Sequence, residues 1–358
     1  RDSMSIDLLE VNGVKCASVS SGIKSNNSLD LSLISLVKGS NTAAVFTQNV
    51  FCAAPVLVAK NHIDFNIEAL LINSGNANAG TGKKGLEGCY KSCEILAKEL
   101  GIKPEQVLPF STGVIGQSLP IAPFEKNANK LVSSLRQDGL SDVARGILTT
   151  DLVEKSCSVS FEVDGQKVHL SGIAKGSGMI RPDMATMLAF VFTDAAIPPQ
   201  VLQSLLATGV STSFNCITVE GDTSTSDSLF LCATGAAKHS RITGHRDPRL
   251  KEFRRALLEV CTGLSQAIVR DAEAASRFVT LHVTGAASMQ AARKIGRPIA
   301  SATLFIVSMS ETLPPWGRMI MAVGKSGERA DRDRLAIDVG GLPVAREGAV
   351  IDGFAAAT

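Results

Sequence analysis

Three observations predict an α/β fold of mixed sheets layered with helices. Short apolar runs alternate along the chain with stretches of helical spacing, the arrangement of layered α/β proteins. Residues 184–192 are the densest apolar run, well short of the ~18 residues that span a bilayer, as a strand buried on both faces would be. Hydrophobic residues make up 45% of the composition and charged residues 20%, a globular balance that can fill a sizeable core. Aromatics are only 4%, so that core must be built from Ala, Val, Leu and Ile. The 358 residues suffice for two ordinary domains or one large α/β body.

From the N-terminus onward, residues 43–46 and 54–59 read as short strands, the second opened by Pro55. Residues 69–72 read as a buried strand that runs into the glycine- and asparagine-rich loop 73–82. Residues 86–100 have helical spacing and stop at Gly101, with Pro104 just beyond. Residues 107–110 form a short strand leading to Ser111, Thr112 and Gly113. Residues 123–135 read as a helix that tolerates Pro123 in its first turn. Residues 157–163 and 167–173 flank Asp164-Gly165, a favoured two-residue hairpin turn. A glycine-rich stretch at 175–178 and Pro182 precede the buried run 184–192. Residues 202–212 and 249–274 read as helices, and residues 278–283 and 304–309 as strands. The chain has no internal repeat and no low-complexity segment.

Composition excludes several function classes. The formal net charge is +2, and the densest basic stretch, 241–255, also carries Asp247 and Glu252, as a solvated face would; no nucleic-acid partner is expected. The eight cysteines form no C-x-x-C pair. Cys89 and Cys93 share a helix face, but the five histidines supply no matching ligand spacing, so reduced, buried thiols are expected rather than a metal site. No membrane span and no signal peptide are expected. Gly324-Lys-Ser326 lacks the earlier glycine of a phosphate-binding loop, since Met319 stands there. Gly75 and Gly80 do not make a dinucleotide motif, and no Ser-His-Asp set is legible.

The chemistry is concentrated around residues 175–194. There a glycine-rich turn and a proline precede Thr186, which opens the apolar run. A threonine hydroxyl needs a neighbouring base to act as a nucleophile. Release of Thr186 as a chain terminus would supply one, its own α-amine, with an unperturbed pKa near ~7.7–8.0. That requires scission of the Ala185–Thr186 bond, with the Thr186 hydroxyl attacking the preceding carbonyl and water hydrolysing the resulting ester. Small Ala185 and the upstream glycines suit such a close approach.

This segment resembles the self-cleavage motif of the ornithine acetyltransferase (glutamate N-acetyltransferase) family of arginine biosynthesis. Further landmarks resemble that family in the same order: Ala43-Ala-Val-Phe-Thr47, Asn73-Ser-Gly-Asn-Ala-Asn78, Ser111-Thr-Gly-Val-Ile-Gly116, Thr149-Thr-Asp151, Asn215 with Gly221-Asp-Thr-Ser-Thr225, Arg270-Asp-Ala-Glu273 and Trp316-Gly-Arg318. The resemblance implies an N-terminal-nucleophile fold of the ornithine acetyltransferase and aminopeptidase-like type. It implies a chain cut into residues 1–185 and 186–358 that remain associated, as a dimer of heterodimers. Thr186 would be the nucleophile, and Thr112 and Gly113 the oxyanion hole. Thr149 would hydrogen-bond the amino-acid substrate. Lys175 would bind its carboxylate or tune the Thr186 amine, and Glu273 would bind its α- or side-chain ammonium. The implied reaction is ping-pong: N-acetyl-ornithine gives its acetyl group to Thr186, and glutamate takes it. No cofactor is needed, although a bifunctional member would also take acetyl-CoA as donor.

The sequence departs from the family pattern in places. Asp271-Ala-Glu-Ala-Ala275 has alanine where glycine is usual. Ile306 and Val307 stand in place of a Lys-Thr pair, Pro315 in place of asparagine, and Arg181-Pro-Asp183 differs mildly. The family's C-terminal segment is expected to be missing after Thr358, with loss of its pocket-closing contacts. Two alternative functions stand beside acetyl transfer: a related aminopeptidase or amidase, in which water takes the acyl group, and an uncleaved non-catalytic homologue. The expected location is the cytoplasm, or the mitochondrial matrix or plastid if a transit peptide has been removed before Arg1.

Overall fold

The computed structural model describes residues 8–180, 187–310 and 316–351. The chain divides into a larger unit, residues 1–217 and 222–273, and a smaller one, residues 218–221 and 274–358.

The larger unit has two sheets. The first takes β1 (Val14–Val19), β2 (Leu31–Leu36), β4 (Ala69–Asn76) and β5 (Val107–Val114) in the order β1-β2-β4-β5. The second is ordered β3-β9-β8-β7-β6, from β3 (Asn41–Phe46), β6 (Lys155–Val163), β7 (Gln166–Lys175), β8 (Leu188–Thr193) and β9 (Ser228–Ala233). The period-2 alternation of strands explains the layering. Leu70, Ile72, Leu108 and Phe110 of the first sheet share one core with Leu188, Phe190, Phe192 and Phe230 of the second. The opposite face of the first sheet, with Leu33, Leu71 and Val107, packs against α2 (Gly82–Leu100) and α3 (Ala122–Ser133) through Cys93, Leu96 and Leu131. The outer face of the second is covered by α6 (Leu250–Arg270) and α5 (Pro199–Ser211). The result is a four-layer helix–sheet–sheet–helix sandwich, with α1 (Ala54–His62) against β5 and α4 (Leu140–Gly146) against β1 and β2.

Most expected elements form. The buried run yields β8, every residue of which is buried. Asp164 and Gly165 take φ of 51° and 72°, as a tight hairpin turn between β6 and β7 requires. The expected helix 249–274 stops at Arg270. Residues 54–59 are not a strand: they belong to helix α1, with Pro55 in its first turn and Ala54, Pro55, Val56, Val58, Ala59 and His62 buried. A short apolar run carries no period that separates strand from buried helix.

The smaller unit holds α7 (Met289–Ala300), α8 (Thr303–Ser310), α9 (Trp316–Lys325) and a three-stranded meander of β10 (Ile337–Val339), β11 (Leu342–Arg346) and β12 (Ala349–Val350). Two expectations fail there. Residues 304–309 lie in helix α8, and among them only Phe305 is buried, with Ile295, Ile299 and Ala322 of the flanking helices. Residues 278–283 take no regular structure. Both runs are apolar, and a short apolar run carries no period that separates strand from other structure. Among the described residues no helix is long and apolar enough to cross a membrane, and no cluster of residues suited to hold a metal ion occurs.

Candidate active site

The site is assembled where β5, β7 and the loop after α4 meet, all in the larger unit. β4 and β5 run parallel and place Gly75 opposite Gly113. Gly113 has φ of +133°, and a Cβ added there would fall 2.4 Å from the Gly75 carbonyl carbon. The position therefore admits only glycine. The neighbouring landmark asparagines are scaffolding. Asn73 Oδ1 accepts from the Ser111 hydroxyl at 2.5 Å, Asn76 Oδ1 from the Asn78 N–H at 2.8 Å, and Ala77 N–H donates to the Val114 carbonyl at 3.0 Å. These bonds lace the two loops together and hold Thr112 and Gly113 in place.

Lys175 ends β7 and is 3% exposed. Its Nζ donates to Thr112 Oγ1 at 3.2 Å and to Thr149 Oγ1 at 2.8 Å. The structure thus brings three expected site residues, Thr112, Thr149 and Lys175, to one point, with Gly113 beside them. Burial pushes the Lys175 ammonium below the usual lysine range, against the charge of nearby Asp151.

Asp151 belongs to an expected landmark without an expected role of its own, and it is the hub of the site. Its Oδ1 accepts from Gly176 N–H and from Lys155 Nζ, both at 2.7 Å. Its Oδ2 accepts from Thr149 N–H at 3.1 Å and stands 3.7 Å from Lys175 Nζ. Burial opposes its charge, but Lys175 and Lys155 outweigh burial and hold its pKa down to about 2. Lys155, equally buried, also donates to Asp271 Oδ2 at 2.7 Å. That same oxygen accepts from Leu152 N–H at 3.0 Å and so ties the end of α6 to the Thr149–Asp151 segment.

Glu273, two residues beyond Asp271, is exposed. Its N–H donates to the Ser177 carbonyl at 2.8 Å, and its carboxyl lies over Gly178, where an added Cβ would come within 3.1 Å of it. It therefore stands against the loop that leaves Lys175. Ala274, in the stretch where glycine is usual, takes φ of +55°, a left-handed conformation that costs an alanine roughly 1–2 kcal/mol.

Ala185 and Thr186, the expected cleavage pair, lie outside the described residues, as do Arg181-Pro-Asp183 and Pro315. The chain immediately after Thr186 is held firmly. Met187 N–H donates to Asp227 Oδ1 at 2.6 Å, and Leu188 pairs with Lys175 across the sheet. Asp227 is fully buried, and desolvation pushes its carboxyl well above the usual range. The Ala43–Thr47 and Gly221–Thr225 landmarks serve its setting: Thr47 N–H donates to the Asp227 carbonyl at 2.9 Å and Thr47 Oγ1 to the Ser224 carbonyl at 2.8 Å.

Sequence reasoning misses the buried charges of this region, Asp151, Lys155, Asp227 and Asp271. A signal exists for one of them. Residues 155, 157, 159, 161 and 163 form the inward stripe of β6, and a lysine on the buried side of an alternating strand must find a partner.

The cluster is a buried corner between two β-layers, in which a lysine ammonium donates to two threonine hydroxyls beside a position that admits only glycine. The chain belongs to the ArgJ family, which matches residues 15–357, and it is an acyltransferase of arginine biosynthesis. It is 42% identical over 349 residues to the arginine biosynthesis bifunctional protein ArgJ of Gluconobacter oxydans, covering 97% of this chain and 82% of that protein. It is similar to the crystal structure of the arginine biosynthesis bifunctional protein from Bacillus halodurans, with 36% identity, a TM-score of 0.46, and coverage of 49% of this chain and 92% of that one. It is also similar to the Mycobacterium tuberculosis ornithine acetyltransferase complexed with ornithine, with 29% identity, a TM-score of 0.42, and coverage of 48% and 92%.

Proposed function

We propose that the chain moves an acetyl group from N-acetyl-ornithine to glutamate through an acetyl ester on Thr186, which it first frees by cutting itself at Ala185–Thr186. The observation that carries this reading is the Lys175 ammonium. It donates to the Thr112 and Thr149 hydroxyls, close to where β8 begins two residues after Thr186. In the transfer the Thr186 hydroxyl adds to the acetyl carbonyl while its α-amine takes the proton. The Thr112 hydroxyl and the Gly113 backbone stabilise the oxyanion, worth roughly 2.7–4 kcal/mol per donor. Collapse expels the ornithine amine, which leaves with that proton. The glutamate amine then attacks the ester by the same path in reverse. Glu273 holds the substrate ammonium. No cofactor takes part, since the ester stores the acyl group. The two cut chains stay together, as a dimer of such pairs, and the reaction runs in the cytoplasm.

The test is the intact mass of the protein beside a Thr186→Ala variant, followed by an acetyl-transfer assay. Two fragments splitting at Ala185–Thr186 in the wild type only, with acetyl-glutamate formed from N-acetyl-ornithine, are expected. Free acetate formed without glutamate would make the chain a hydrolase. Acetyl-glutamate from acetyl-CoA would add a second donor. One uncut mass for both proteins would overturn the α-amine mechanism.

A further inference from the structure

We propose that Asp151 is the positioning residue of this site: its carboxylate holds the Lys175 ammonium on Thr112 and Thr149, and so makes both hydroxyls donors toward the substrate. A lysine ammonium has three N–H donors and no acceptor. When Lys175 is charged, its bonds to Thr112 Oγ1 and Thr149 Oγ1 run in one direction only. Each hydroxyl then spends a lone pair on Lys175 and keeps its proton for another acceptor. At Thr112 that acceptor is the oxyanion, and at Thr149 an oxygen of the amino-acid substrate. A neutral amine has a lone pair, so either hydroxyl could turn its proton toward Lys175 instead. The oxyanion hole would then lose a donor without any atom moving far. The polarity of the site thus depends on the charge of a nearly fully buried lysine.

The charges around Lys175 come from several elements. Asp151 stands at 3.7 Å, in the loop between α4 and β6. Lys155 from β6 and Lys24 from the β1–β2 segment oppose the charge, and Asp227, just before β9, supports it more weakly than Asp151 does. Burial works against the ammonium, and so do both lysines. Asp151 is the strongest influence on Lys175 after burial, and the sharing of its oxygens shows its purpose. Oδ1 is committed to Lys155 and Gly176, and Oδ2 to Thr149 N–H, on the side of Lys175. One side chain therefore sets the Thr149 backbone, the turn after Lys175 and the charge of Lys175 together.

The role of Asp151 rests on the reading of Thr112 as an oxyanion donor, and its test separates the two claims. Lysine Nζ-15N-labelled protein is titrated by NMR as wild type, Asp151→Asn and Lys155→Met, with Lys175→Met assigning the Lys175 signal. The alkaline limb of acetyl transfer is followed in parallel. In Asp151→Asn, Lys175 is expected to lose its proton about one pH unit or more lower, with the alkaline limb moving down equally, since a nearby opposite charge shifts a pKa by ~1–3 units. In Lys155→Met, which removes a like charge, both are expected to move up. An unchanged Lys175 titration in Asp151→Asn, or a downward shift in both variants, overturns the proposal. If Asp151→Asn does not fold alone, the double variant Lys155→Met/Asp151→Asn is compared with Lys155→Met: a Lys175 titration lower in the double variant supports the proposal, and an unchanged or higher one overturns it. Should the wild type transfer no acetyl group, the functional reading fails, while the NMR titration still decides the role of Asp151.

Discussion

Gly113 shows how one residue can serve backbone and chemistry at once. Its φ of +133° and the 2.4 Å approach of a would-be Cβ to the Gly75 carbonyl carbon leave no room for a side chain. The same closeness lets β5 lie tight against β4 where Gly75 and Gly113 pair. Gly113→Ala is expected to destabilise the fold by roughly 1–3 kcal/mol, the cost of forcing a side chain into such a conformation, and to remove acetyl transfer. Urea unfolding beside a transfer assay checks both, and an active, equally stable variant would show that the strand pair yields. Ala274 makes the opposite compromise, holding a left-handed φ with an alanine and tolerating the strain.

Among the elements, β8 matters most. It is the central strand of its sheet, pairing with β7 on one side and β9 on the other. Its even-numbered residues, Leu188, Phe190 and Phe192, face the core between the sheets. Phe190 stands edge-on to Phe110 of the opposite sheet, with ring centroids 5.0 Å apart. That contact couples the strand that begins just past Thr186 to the strand that carries Thr112. Phe190→Ala is expected to cost about 3–5 kcal/mol, as large-to-small changes of buried aromatics do. The midpoint of urea unfolding measures it, and a loss below about 1 kcal/mol, far under that range, would mean that the two sheets are not coupled there.

Across the whole molecule, the proposed cut falls between two neighbouring strands of one sheet. β7 lies before residue 185 and β8 after it, yet they are hydrogen-bonded over six residue pairs. The inter-sheet core likewise mixes Phe110 and Ile173 with Phe190 and Phe230. Scission of one peptide bond leaves this burial intact. The cut protein is therefore expected to elute as one species on size exclusion and to unfold in one transition. Separation of the fragments without denaturant would show that the bond itself holds the sandwich together. The division of the chain into compact units falls elsewhere, at residue 273, because packing and not the cut defines it. The smaller unit carries its own apolar clusters, around Ile295, Ile299 and Phe305 and around Ile337, Val344 and Ala345.

Local pattern by itself determines much of this protein. The helix ending at Gly101, the Asp164-Gly165 hairpin and the fully buried strand after Thr186 are legible because turn chemistry and hydrophobic period act over a few residues. The family landmarks likewise mark Thr112, Thr149, Lys175 and Glu273 as site residues, and the structure brings the first three together. Residues 54–59 and 304–309 resist such reading because a short apolar run has no period of its own, and its neighbours in space choose between helix and strand. The same limit hides the ion network. Lys155 and Asp271 are 116 positions apart, and Asp151 reaches Lys175 from a loop on another element. No local rule pairs buried charges across such distances. Only the packing of two sheets, by removing water from around Lys175, lets the buried charges of Asp151, Lys155 and Asp227 act on it at close range.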